Sequence, residues 1–199
     1  MSRAYREQKL RRMLSIIRND LDRLLNLRAP RAGFGGASTT GQDYLQRQID
    51  KYLKPLSTLE FREQVRTLLI AFQGPPLINA PGDGTAIPYR RPNWDTEGLG
   101  DDHVSVMLKM GGGWSHMGKH GGTKIRINQK AFWMFPELTL RGVMVHEATH
   151  YALDTKDIHY SSFTRNSVMQ GLTNGSENAD NWRIFYQKMS AHMAGAPAN

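Results

Sequence analysis

The sequence predicts an α+β fold, mainly helical with a small β-sheet, and three observations carry that expectation. Apolar residues recur at helical spacing through the first third of the chain. Two short stretches, His103 to Met110 and Thr123 to Asn128, alternate with the period of a strand. A largely apolar helix around Leu138, Val143, Met144, Val145, Ala148, Ala152 and Leu153, then a final helix with an aromatic face, close the chain. At 199 residues the length fits one domain, 1–199, with 1–73 as a helical N-terminal part and 101–193 as the part that carries the chemistry. With 39% hydrophobic and 22% charged residues, the composition is that of a globular chain and excludes a fibrous or disordered one.

The elements follow in order. Leu10, Met13, Leu14, Ile17, Leu21, Leu24 and Leu25 repeat with charged residues between them, so residues 4 to 28 form an amphipathic helix. Its dense basic group, Arg3, Arg6, Lys9, Arg11 and Arg12, reads as a solvated face, and Glu7, Asp20 and Asp22 argue against a membrane-surface role. Arg28 to Gly41 is a loop. Its run Gly33-Phe34-Gly35-Gly36 lacks the preceding strand and the following Lys-Ser/Thr of a phosphate cradle. Gln42 to Leu53 is a second helix, stopped near Pro55. Ser57 and Glu60 form a capping box before Phe61, Val65, Leu68, Leu69 and Phe72, a third helix.

Gly74 to Gly100, rich in proline and glycine, is a long loop. His103 to Met110 is a strand with Val104, Val106 and Leu108 on one face, ended by Gly111-Gly112-Gly113, and Thr123 to Asn128 is a second strand. Between them, His116 and His120 have four-residue spacing, but the glycines around them indicate a loop rather than a second metal site. Pro136 and Glu137 suit the first turn of the apolar helix. Ser176 is placed to cap a last helix whose inward face carries Trp182, Phe185, Tyr186 and Met189.

One stretch names a reaction. His146, Glu147 and His150 form H-E-x-x-H, and residues four apart on a helix share a face. Both imidazoles can therefore reach one zinc ion, with Glu147 beside them as general base toward a metal-bound water. The bland alternative is a pair of satisfied histidines on a core helix. There is no cysteine, so any metal must be held by His, Asp or Glu.

A catalytic zinc takes three protein ligands and keeps one position open, so one ligand remains to be found. The extended pattern H-E-x-x-H-x-x-G-x-x-H is excluded, because Leu153 and Lys156 stand where it needs glycine and histidine. Glu177, after the motif in S-E-N-A-D, is one candidate, as in thermolysin-like peptidases. Asp157 is another. Asp154 would continue the helix and keep the ligands in a column, whereas Asp157 lies beyond a turn and can come back across the metal.

Thr155 to Tyr160, T-K-D-I-H-Y, resembles the T-x-D-x-x-Y segment of the aspzincins, the deuterolysin and peptidyl-Lys metallopeptidase family. Asn178 to Trp182, N-A-D-N-W, is similar to that family's downstream N-A-D followed by an aromatic. The resemblance covers roughly residues 100 to 190. It implies a zincin fold with one catalytic Zn2+ on His146, His150 and Asp157, and with Glu147 as general base. It further implies Tyr160 as hydrogen-bond donor to the oxyanion and Asp180 as the group that orients a ligand histidine. The strand Lys124, Ile125, Arg126 and Ile127 would be the edge along which an extended peptide lies. Two departures bear on the loop: the family has glycine where this chain has Asp154 and Ser161.

The function expected is that of a zinc-dependent metalloendopeptidase acting on a peptide or protein substrate. Two other classes stay open. One is a signal-less bacterial toxin or effector, an amidase or peptidase acting on cell-wall or host or competitor targets. The other is a non-catalytic basic binding module with a structural metal, which requires a closed four-ligand site. The net charge of +8 attracts acidic partners as a field effect, but the basic residues are spread along the chain and nucleic acid is not an expected partner. No stretch approaches the ~20 apolar residues needed to span a bilayer. The N-terminus lacks a signal-peptide core, so the expected location is the cytoplasm, or outside it by a non-classical or specialised secretion route.

Overall fold

The computed structural model describes residues 2–27, 40–73, 76–78, 92–96, 113–116, 124–127, 131–158 and 172–195, and the structural statements below concern these. They form α1 (Arg3–Asn26), α2 (Thr40–Tyr52), α3 (Thr58–Ile70), β1 (Leu77–Ile78), β2 (Asn93–Asp95), β3 (Gly113–His116), β4 (Lys124–Ile127), α4 (Ala131–Met134), α5 (Glu137–Leu153), a 3-10 turn (Leu172–Glu177) and α6 (Ala179–Met193). The arrangement is mainly helical with a small sheet, as the sequence predicts.

The N-terminal helices follow their sequence signals closely. Ser2 caps α1 by accepting from the Tyr5 N–H, and the stripe Leu10, Met13, Leu14, Ile17, Leu21 and Leu24 is buried. In α3 the capping box is complete. The Glu60 N–H donates to Ser57 Oγ at 3.2 Å, and Ser57 N–H and O–H donate to Glu60 Oε2 at 2.8 and 2.6 Å. Those two bonds from Ser57, the hydroxyl first, hold the Glu60 carboxyl below its ordinary value. A carboxyl depressed on folding contributes stability above its unfolded pKa of 4.5 and loses it as pH falls through the folded value. Wild type is therefore expected to be more stable than Glu60→Gln at neutral pH, with the gap closing as pH falls below 4.5 through the lowered folded value. Urea denaturation at neutral and at acid pH measures it, and a gap independent of pH refutes the charge contribution.

The sheet departs from the sequence reading. Its strand order is β1-β2-β4-β3, with β1, β2 and β4 parallel and β3 antiparallel to β4. β1 and β2 arise inside the stretch read as one long loop, and β3 inside the glycine-flanked segment between the two predicted strands. They form because partners distant in sequence pair them, Leu77 with Asn93, Trp94 with Ile125 and Trp114 with Arg126, rather than through local propensity. The strand expected at His103 to Met110 lies outside the described residues. In β4, Ile125 and Ile127 alternate into the core beside Trp94 as predicted.

A continuous apolar cluster joins α1, α2 and α3 to the sheet, α5 and α6, so the N-terminal helices share the core of the C-terminal part. Phe61 stacks on Trp182 and meets Phe185 edge-on at 5.4 Å. A polar knot lies within this packing. Asp20, cited from sequence only as an argument against a membrane-surface role, is buried; its Oδ2 accepts from Arg141 Nη1 at 3.1 Å and from the hydroxyls of Tyr186 and Ser190 at 2.8 Å each. Burial, and then the Asp20 charge, push the Tyr186 hydroxyl far above its ordinary pKa, so it donates at every physiological pH. The knot ties α1 to both α5 and α6. At the other end of α1, Lys9 donates to the Phe132 carbonyl, and Arg12 pairs with Glu137 at 3.1 Å. Among the described residues no helix is long and apolar enough to cross a membrane.

Candidate metal centre

α5 carries the H-E-x-x-H motif, and how it ends decides the site. Its C-cap is Asp154 in the left-handed region, φ 53°, a conformation that favours glycine and that Asp tolerates better than most residues. The Asp154 N–H donates to the Thr149 carbonyl, and Thr155 Oγ1 donates to Thr149 Oγ1 at 2.9 Å, folding the chain back along the last turn of the helix. Lys156 then forms a parallel bridge to Asn178: its N–H donates to the Glu177 carbonyl at 2.8 Å, and its carbonyl accepts from Ala179 at 3.1 Å. The residue that follows, Asp157, is thereby carried back over the two histidines.

Three ligand atoms meet there. His146 Nε2 and His150 Nε2 each lie 3.0 Å from Asp157 Oδ1 and 3.3 Å from one another. His146 is buried, His150 half-buried and Asp157 the most open of the three. The His150 Nδ1–H donates to the Thr155 carbonyl at 2.7 Å, because that oxygen can only accept. The neutral ring then turns a lone pair at Nε2 toward a carboxylate oxygen, which is favourable only with a proton or a cation between them. The spacing suits a cation. Metal–ligand bonds of about 2.0–2.1 Å in tetrahedral geometry place ligand atoms about 3.3–3.4 Å apart. Two imidazole nitrogens and one carboxylate oxygen are a donor set for zinc and its neighbours rather than for calcium or magnesium. This group can hold a metal ion.

No protein-family model, curated protein or solved structure matches the chain. The site therefore stands on its own geometry.

His150 adds a pH dependence. Burial pulls its pKa down, but the hydrogen bonds to Asp157 and the Thr155 carbonyl, with the charges of Asp157 and Glu147, outweigh it and leave it above 6.5. In the metal-free protein a protonated His150 thus stabilises the fold below pH 6.5, and that contribution fades as pH rises through the folded value. Metal must displace the same proton. Zinc affinity, measured by chelator competition, is expected to rise up to about tenfold per pH unit from pH 6 and to level off above the raised pKa. A flat profile would refute a proton shared in the site.

The other predicted residues fall as follows. Glu147 is 5% exposed, with Oε1 4.0 Å from His146 Nε2, beside the ligand atoms. Asp180 is 3% exposed and sets its Oδ1 3.9 Å from His146 Nδ1. Glu177 is exposed and stands outside the converging group; ending the 3-10 turn, it contributes its carbonyl to the Lys156 bridge. The edge role expected of Lys124, Ile125, Arg126 and Ile127 is corrected: β4 has β2 on one side and β3 on the other, so its main chain is already paired. Among the described residues the edge beside it is β3, which packs against α5. Tyr160 lies outside the described residues.

Sequence reasoning missed the supports. Asn178, and not Ser176, caps α6, with its side chain accepting from the Asp180 N–H, and the same residue anchors the Lys156 bridge. Thr149 and Thr155 were readable only as turn formers, and Arg183 only as an i,i+3 partner for Asp180.

Proposed function

We propose that the chain is a zinc-dependent metalloendopeptidase of the aspzincin kind, hydrolysing peptide bonds in peptide or protein substrates. One observation supports this above the rest: His146 Nε2, His150 Nε2 and Asp157 Oδ1 converge within 3.0–3.3 Å with the Glu147 carboxylate alongside. Zinc held by these three atoms would acidify a water molecule to a pKa of about 7 and polarise the scissile carbonyl. Glu147 takes the proton of the attacking water and returns it to the leaving amine, so no covalent enzyme intermediate is needed. Its near-complete burial keeps bulk water from competing for that proton. Tyr160 is the oxyanion donor that the family resemblance implies. An extended substrate would add to the side of β3 that no described residue pairs with, main chain to main chain, next to the motif helix. A zincin-type fold accommodates this pairing of sheet and helix. A closed structural site is less favoured, because the converging group among the described residues supplies three ligands and leaves a position for water.

Purified protein is expected to hold about one zinc per chain, to cleave a peptide library, to lose cleavage on chelation and to regain it on zinc addition. Zinc content by elemental analysis and peptide mapping by mass spectrometry read this out. Protein that holds zinc and cleaves no peptide bond under any of these conditions would overturn the reading.

A further inference from the structure

We infer that Arg183 is a positioning residue for the metal centre, acting through Asp180 on the ligand His146. The inference rests on the metal-centre reading above. Arg183 lies at the start of the second turn of α6, three residues after Asp180, and grips its carboxylate at two points: Nε donates to Oδ1, and Nη2 donates to Oδ2 at 3.1 Å. The pair is enclosed, with side-chain exposures of 4% for Asp180 and 13% for Arg183. The oxygen held by Nε is the one that stands 3.9 Å from His146 Nδ1.

Asp180 is fixed at its backbone as well, because its N–H donates to the Asn178 side chain at 3.4 Å, and Asn178 is bridged to Lys156. A carboxylate with its main chain capped and both oxygens gripped by a planar guanidinium has one orientation open to it. That orientation presents Oδ1 to the ring nitrogen of His146 that faces away from the ligand cluster. At 3.9 Å the two are at ion-pair distance and not hydrogen-bonded, so Asp180 acts on the ring through its charge; carboxylates behind ligand histidines typically govern metal affinity by about 10- to 100-fold. Lysine cannot reproduce the two-point grip, so the specific requirement is for arginine.

Zinc affinity by chelator competition on wild type, Arg183→Gln, Asp180→Asn, the double variant and Arg183→Lys tests the inference, with far-UV circular dichroism and visible spectra of the cobalt-loaded forms on the same samples. Arg183→Gln and Asp180→Asn are each expected to weaken zinc binding about 10- to 100-fold, and the double variant no more than the weaker single one. Arg183→Lys should fall between Gln and wild type, and the cobalt bands of Arg183→Gln should shift. Unchanged affinity in Arg183→Gln, or losses that multiply in the double variant, overturns the inference, since Arg183 would then act elsewhere. If glutamine prevents folding, the lysine variant decides in the same terms. Cleavage plays no part in this measurement. Wild type that binds zinc but cleaves nothing sinks the peptidase reading and leaves Arg183 to be judged on affinity, whereas wild type that binds no zinc overturns both.

Discussion

Glu147→Gln is expected to hold its zinc and lose peptide cleavage by about a thousandfold or more, while Asp157→Ala loses both metal and cleavage. The two substitutions separate holding the metal from moving the proton. Glutamine keeps the shape of a side chain that lies 4.0 Å from His146 Nε2 and outside the converging ligand group, so the ligands are undisturbed. It has no basic oxygen with which to take a proton, and general-base contributions run to about 10²–10⁴-fold. Among the described residues, Asp157 provides the oxygen that lies 3.0 Å from both imidazole nitrogens. Without it two neutral histidines remain, too few ligands for a catalytic zinc site. Zinc content together with kcat/KM decides the case. A glutamine variant with full activity would remove Glu147 from the mechanism, and an alanine variant that keeps its zinc would move the third ligand elsewhere.

Gly175→Ala is expected to cost about 3 kcal/mol or more and to lower the melting temperature by roughly 6–12 °C. Gly175 sits at a kink in the 3-10 turn with φ 47° and ψ −131°, a backbone conformation essentially reserved for glycine. A Cβ there would fall 1.3 Å from the Lys54 carbonyl oxygen, so main chain must move, and no rotamer change can relieve the clash. The displacement would reach the site. The Gly175 carbonyl accepts from Asn181 Nδ2 at 2.7 Å and from the Asn178 N–H at 3.4 Å, and Asn178 anchors the bridge that carries Asp157. Zinc affinity should fall with stability. Gly195→Ala is the control: its φ of 77° is also positive, but a Cβ there meets nothing within 4 Å, so only the backbone penalty of about 1 kcal/mol applies. Thermal melts of the two variants compare them directly, and equal shifts would refute the packing argument.

Whatever a local signal controls could be read from the chain. The stripe of α1, the capping box of α3 and the two histidines on one helix face each depend on residues within a turn or two of one another. Asp157 was legible as a candidate beside Glu177, because a residue just past a reversal can meet ligands stacked on a helix, and Asp154 makes that reversal; the family resemblance, not spacing, chose between the two. The small strands were not legible. At two to four residues they are too short to show a period, and β1 and β2 find partners 16 or more positions away, as Leu77 does with Asn93. Strand order does not follow chain order either, so the chain gave no sign that β4, expected from the family resemblance to be an edge, lies between β2 and β3. The same holds for the burial of Asp20. Nothing near it in sequence announces that Arg141, Tyr186 and Ser190 will enclose it.

The Asp20 knot also bears on whether α1 could be a detachable segment. A pro-segment that silences a peptidase must be dispensable once cut away. α1 is not: its removal would uncover Leu10, Met13, Ile17, Leu21 and Leu24 and take from Arg141 its buried carboxylate, about one and a half turns upstream of His146. Loss of this helix would open the core that it shares with α5 and α6 rather than release a finished unit.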